Sequence, residues 1–173
     1  ALAKAGVVPA DDDLDMATWT FDAPPGDPAT AQERAAAAAG TPIPTTLTGF
    51  KISQKVGPAK RPGLMIFVGP YGDGGGYYER EIGKLYARRG YAVFLTDYFP
   101  GTHGDTNPAT MFPALAEYTD NAAFGGQDYL GQTARTQATA LKNLEQLRTW
   151  SIVDTEKIAV FGYCFGGAMA LQM

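Results

Sequence analysis

Three short apolar runs constrain this chain most: Leu64-Met65-Ile66-Phe67-Val68, Tyr91-Ala92-Val93-Phe94-Leu95 and Ile158-Ala159-Val160-Phe161. None alternates apolar with polar residues, so each is expected to be covered on both faces, like the strands of a parallel sheet buried beneath helices. The stretches between them carry helical spacing. Tyr78, Ile82, Leu85 and Tyr86 repeat at i, i+4, i+7 and i+8, and Leu130, Ala134, Ala138, Leu141, Leu144 and Leu147 keep a similar spacing up to Trp150. Gly90 stands where a helix C-cap is needed, after Arg88 and Arg89 in the last turn. Strands separated by helical crossovers of this length define an α/β fold. Ahead of them, Met16 to Phe21 reads as an edge strand. Leu47 to Val56, with Leu47, Gly49, Ile52 and Val56 set among polar residues, reads as a second, antiparallel strand.

Composition narrows the function classes. The 173 residues are 45% hydrophobic, too apolar for a disordered chain. No uninterrupted apolar run approaches the roughly 18 residues of a membrane-spanning helix, so no membrane role is expected. One Cys and one His allow neither a disulfide framework nor a zinc-type cluster, and leave cytoplasm or periplasm open. Residues 1–46 hold seven acidic and two basic side chains, net −5; residues 47–173 hold eleven and twelve, net +1. With no basic stripe, a nucleic-acid partner is not expected. Residues 1–46, with Asp11-Asp12-Asp13 and Pro24-Pro25-Gly26-Asp27-Pro28, read as an acidic Pro/Ala-rich extension, and residues 47–173 as the domain proper.

The third run leads directly into Gly162-Tyr163-Cys164-Phe165-Gly166-Gly167-Ala168. This is a G-x-S-x-G nucleophile elbow with cysteine in place of serine. A strand that reverses into a helix within a few residues holds Cys164 on a sharp turn, and glycines two positions either side leave the backbone room. The positive end of the following helix favours a thiolate. The Phe165 N–H, next after the nucleophile, is placed to donate to a developing oxyanion. Two plainer readings compete. A lone cysteine is often a small buried hydrophobe, and glycine-rich strand-to-helix turns also bind phosphate. A phosphate loop, however, wants Lys-Ser/Thr after its glycines, and Ala168-Met169 supplies neither.

The segment Val153-Asp154-Thr155-Glu156-Lys157-Ile158-Ala159-Val160-Phe161-Gly162-Tyr163-Cys164-Phe165-Gly166-Gly167-Ala168 resembles the core of the dienelactone hydrolase family, a branch of the α/β-hydrolases. Gly63 to Pro70, Arg89-Gly90 and Tyr91 to Tyr98 follow the same order, so the resemblance covers residues 47–173. It implies an α/β-hydrolase-like fold, a mainly parallel sheet flanked by helices, with the chain stopping after the nucleophile helix begins. It further implies a Cys-His-Asp hydrolase of lactones or related esters, working through a thioester on Cys164 without metal or organic cofactor. The loop after the first core strand would give the second oxyanion N–H. Pro70 has none to give, which passes that role to Tyr71 or Gly72. Asp97-Tyr98-Phe99-Pro100-Gly101 lacks the arginine that dienelactone hydrolase itself uses for its substrate's carboxylate, so a different ester or lactone is expected.

In this fold the acid and the histidine follow the nucleophile, which places both beyond residue 173. His103, in Gly101-Thr102-His103-Gly104-Asp105, precedes it and reads as a loop residue. The loop around Asp73-Gly74-Gly75-Gly76, with Tyr71, Tyr77 and Tyr78, lies by this order over the presumed site. The alternatives are a non-catalytic scaffold or interaction subunit that retains the elbow, and a thiol redox sensor on Cys164. A small ester or lactone is the partner expected; the sequence does not set the oligomeric state.

Overall fold

A computed structural model of the chain describes residues 11–23, 38–40, 46–67, 77–96, 133–163, 165–171 and 173. These residues form five strands: β1 (Leu14–Asp22), β2 (Thr46–Gln54), β3 (Arg61–Phe67), β4 (Ala92–Leu95) and β5 (Val153–Gly162). Among the described residues three helices accompany them: α1 (Tyr77–Ala87), α2 (Thr133–Thr149) and α3 (Phe165–Ala170). The strands form one mixed sheet in the order β1-β2-β4-β3-β5. β1 with β2 and β2 with β4 are antiparallel, whereas β3 is parallel to both β4 and β5. The three apolar runs are thus adjacent parallel strands, with β3 in the middle although it comes first.

The two faces can be told apart by register. Ile52 opposes Val93 and Phe50 opposes Leu95. The Arg80 guanidinium of α1 lies 4.6 Å from the centre of the Phe50 ring, so α1 covers that face. Phe94 points the other way, edge-on to Trp19 at 5.6 Å and tilted against Phe21 at 5.9 Å. Trp19 in turn meets Trp150, which follows α2, at 6.0 Å. Helices on both faces of a buried sheet give the α/β layering expected from the non-alternating runs. Phe67, Phe94, Leu47, Ile52, Met65 and Ile66 are fully buried at its centre.

Several local expectations are met for identifiable reasons. Gly90 adopts φ +94°, the left-handed conformation that closes a helix. Its N–H donates to Ala87 O at 2.9 Å, and the Tyr91 N–H donates to Tyr86 O at 3.3 Å, satisfying the last carbonyls of α1. Met16 to Phe21 does lie in an edge strand, within β1. That strand sits in the segment read as an extension, yet its Leu14 and Phe21 belong to the core.

Other expectations need correction. The antiparallel strand expected from Leu47 to Val56 is β2, but its apolar residues do not share one face: Leu47 and Ile52, five residues apart, face opposite sides. Both are fully buried because β2 is an interior strand. Val56 lies past the strand and is exposed. In α1, Tyr78 and Leu85 are exposed, while Glu79 and Ala87, with Ile82 and Tyr86 partly, turn inward. In α2, Leu141 is exposed, whereas Thr139, Ala140, Asn143 and Leu147 are buried. Asn143 tolerates this because its Nδ2 donates to Thr139 O at 2.8 Å, so burial leaves that donor paired. Finally, β5 is not covered on both faces among the described residues: Val160 is 36% exposed and Ala159 also lies open.

The acidic run forms a short 3-10 turn, Asp11–Asp13, that docks on α1. Lys84 Nζ lies 2.6 Å from Asp11, and Arg88 Nη2 lies 3.0 Å from Asp11 and 3.2 Å from Asp13. The Lys84 hydrogen bond, with help from Arg88, holds the Asp11 carboxyl below its ordinary range. The same contacts raise Lys84 and Arg88 above theirs.

Candidate active site

The parallel register sets where a site can form. Phe67 opposes Gly162 and Ile66 opposes Leu95, so β3, β4 and β5 end together at their C-terminal edges. Thr96, just beyond β4, fastens that edge: its N–H and its hydroxyl both donate to Ile66 O, at 3.0 and 3.2 Å. In open α/β sheets, ligands sit outside this edge.

There β5 ends at Gly162 and α3 begins at Phe165, leaving only Tyr163 and Cys164 between strand and helix. The reversal is tight enough to dictate its glycine. A Cβ on Gly162 would lie 2.2 Å from the Gly166 carbonyl oxygen and 3.0 Å from the Gly167 nitrogen. These are backbone atoms that cannot swing aside, so only glycine is accommodated. Gly166 is buried against the strand end, and Met169, 1% exposed, anchors α3 in the core. The glycine spacing read from the sequence therefore corresponds to a strand and a helix in backbone contact across a two-residue turn.

The Phe165 backbone opens α3. Cys164 itself, Tyr71, His103 and the loop Asp73-Gly74-Gly75-Gly76 lie outside the described residues. Among the described residues no group of His, Cys, Asp and Glu is arranged to hold a metal ion.

One partner of the elbow was not foreseen. The Tyr163 hydroxyl donates to Oε1 of Glu79, a first-turn residue of α1 that is only 5% exposed. A glutamate at the start of a helix ordinarily reads as solvated and favourable to the helix dipole. It sits on the inward face with Ile82 and Tyr86, three and seven residues on. That inward set could have been traced from Glu79, Ile82, Tyr86 and Ala87, but the glutamate's charge argued against burial. The contact ties α1 to the residue immediately before Cys164. Tyr86 supports the same region, its ring tilted against Phe161 at 6.3 Å.

The sheet order, the helices on both faces and the glycine-gated strand-to-helix turn define an α/β-hydrolase fold. Solved structures share it. The protein named m3DLH is 21% identical with a TM-score of 0.63, over 91% of this chain and 53% of that one. A dienelactone hydrolase-like promiscuous phosphotriesterase from metagenomic libraries is 22% identical with a TM-score of 0.58, over 91% and 53%. An acetyl xylan esterase from Paenibacillus sp. R4 is 17% identical with a TM-score of 0.57, over 93% and 45%. The profile of the dienelactone hydrolase family matches residues 51–173, and the chain belongs to that family. It spans about half the length of these solved structures. No curated protein sequence matches it.

Proposed function

We propose that this protein is a hydrolase of carboxylic esters or lactones in which Cys164 is the nucleophile. The observation that carries this reading is the backbone contact of Gly162 with Gly166, which leaves Tyr163-Cys164 as the whole of the strand-to-helix turn. Such a turn presents the side chain at its apex to the C-terminal edge of the sheet. Family membership and a fold shared with esterases agree with hydrolysis.

In the proposed reaction a histidine takes the Cys164 thiol proton while the sulfur attacks the acyl carbonyl carbon. The negative charge gathers on the carbonyl oxygen, where the Phe165 N–H and a second donor, the Tyr71 N–H, stabilise it. Collapse expels the alcohol, protonated by the histidine, and leaves a thioester on Cys164. Water, deprotonated by the same histidine, then releases the acid and restores the thiol. The histidine and its orienting aspartate are assigned to sequence following residue 173, because this fold places both after the nucleophile. No cofactor enters the scheme.

The test is turnover of p-nitrophenyl esters and simple lactones by the whole protein and by its Cys164→Ala variant, with mass spectrometry of quenched enzyme. Loss of at least about a thousandfold in turnover is expected for the variant, together with an acyl adduct on Cys164 in the parent. Undiminished turnover in Cys164→Ala, with the fold intact by circular dichroism, overturns the assignment.

A further inference from the structure

The end of the sheet opposite the elbow holds a buried cation. Arg61 opens β3 and is 5% exposed. Its Nη1 donates to Gln54 O at 2.8 Å, while its buried Nε has no partner. Among the described residues no carboxylate is within ion-pair distance of it. A guanidinium cannot shed its charge to suit its surroundings, so burial without a counter-ion is a standing electrostatic cost. The surroundings make room for it nonetheless: a Cβ on Gly57 would lie 2.6 Å from Arg61 Nη2.

Arg61 lines a cavity of about 400 Å³, together with Lys51, Lys55, Asp15, Met16 and Trp150. Three cations against one carboxylate give that wall a net charge of +2. Lys51 Nζ is held over the rings of Trp19, at 4.8 Å, and Trp150, at 5.5 Å. The nearby acids that might have compensated are engaged elsewhere, Asp11 and Asp13 on Lys84 and Arg88. The volume falls in the range of small-molecule sites, and the lining offers a forked donor, a point charge and an apolar wall.

We propose that this cavity binds a small organic carboxylate bearing a planar apolar group, its carboxylate on Arg61 and Lys55 and its ring against Trp150. Arg61 opposes Val153 and Phe67 opposes Gly162, so six residues of strand, about 20 Å, separate this cavity from the elbow. The ligand is therefore not the ester being cleaved, and the site stands whether or not Cys164 is a nucleophile.

Isothermal titration calorimetry of the whole protein with benzoate, and separately with inorganic phosphate, tests it. Benzoate is expected to saturate at one per chain. Because Lys55 is exposed and its loss should leave the fold intact, Lys55→Met is the decisive variant, expected to weaken benzoate at least about tenfold. Arg61→Met should abolish binding if it folds. Three results overturn the proposal: no saturation by benzoate up to about 10 mM, benzoate affinity unchanged in folded Lys55→Met, or saturation by phosphate with benzoate silent.

Discussion

The apolar runs of β4 and β5, Ala92–Leu95 and Ile158–Phe161, are near twins as sequence: four apolar residues with no alternation, each in a strand preceded by a helix. In the fold they differ sharply. Every residue of β4 is fully buried between β2 and β3, whereas much of β5 is exposed, with only β3 beside it among the described residues. An apolar run thus reports what a strand tolerates, and the neighbours decide how much of it is covered. β5 nevertheless carries the closest backbone approach at a glycine among the described residues, at the Gly162 end where it meets α3. Stability is concentrated in β4 and geometry in β5.

The largest effect expected is in β4. Phe94→Ala should cost about 3–5 kcal/mol in urea unfolding, since it empties the ring-shaped space facing Trp19 and Phe21. Val160→Thr in β5 should stay below about 1 kcal/mol because that side chain is partly exposed. Equal costs would erase the contrast.

Gly162→Ala tests the other half of the comparison. A methyl 2.2 Å from a carbonyl oxygen must push α3 off the strand. A loss of about 2–4 kcal/mol is expected, by the same unfolding measurement, together with loss of ester turnover in the whole protein. A stable, active variant would show that the elbow is looser than described.

Tyr163→Phe should cost about 1–3 kcal/mol, because it takes a hydrogen bond from the buried Glu79 carboxylate. Glu79→Gln, which keeps an acceptor oxygen, should cost less. The reverse order in paired unfolding curves would discount the bond.

The smallest effect belongs to the acidic turn on α1. Asp11→Asn should cost about 0.5 kcal/mol near neutral pH, as expected of partly exposed ion pairs. The carboxyl of Asp11 is lowered from its ordinary 3.8, so its contribution is present above that pH and disappears as acid protonates it. The Lys84 partner, raised from 10.5, keeps its charge until more alkaline pH. The gap between parent and variant should therefore hold from neutral pH into the alkaline range and shrink as the pH falls below 3.8 and acid protonates Asp11; a gap that does not shrink on acidification would assign it to something other than the ion pairs.

The sequence alone determined the α/β class, the strand-to-helix turn around Cys164 and the cap at Gly90. Each follows from local rules: uncovered apolar runs cannot stay in water, a reversal in two residues admits only glycine at the contact, and φ near +90° suits little else. Tertiary structure decided what local rules leave open. It placed β3 between β4 and β5, put Leu47 and Ile52 on opposite faces, and turned Glu79 inward to meet Tyr163. It also buried Arg61 with no carboxylate at ion-pair distance among the described residues. Burial and pairing depend on which distant segments arrive alongside, and no spacing within one helix or strand encodes its neighbours.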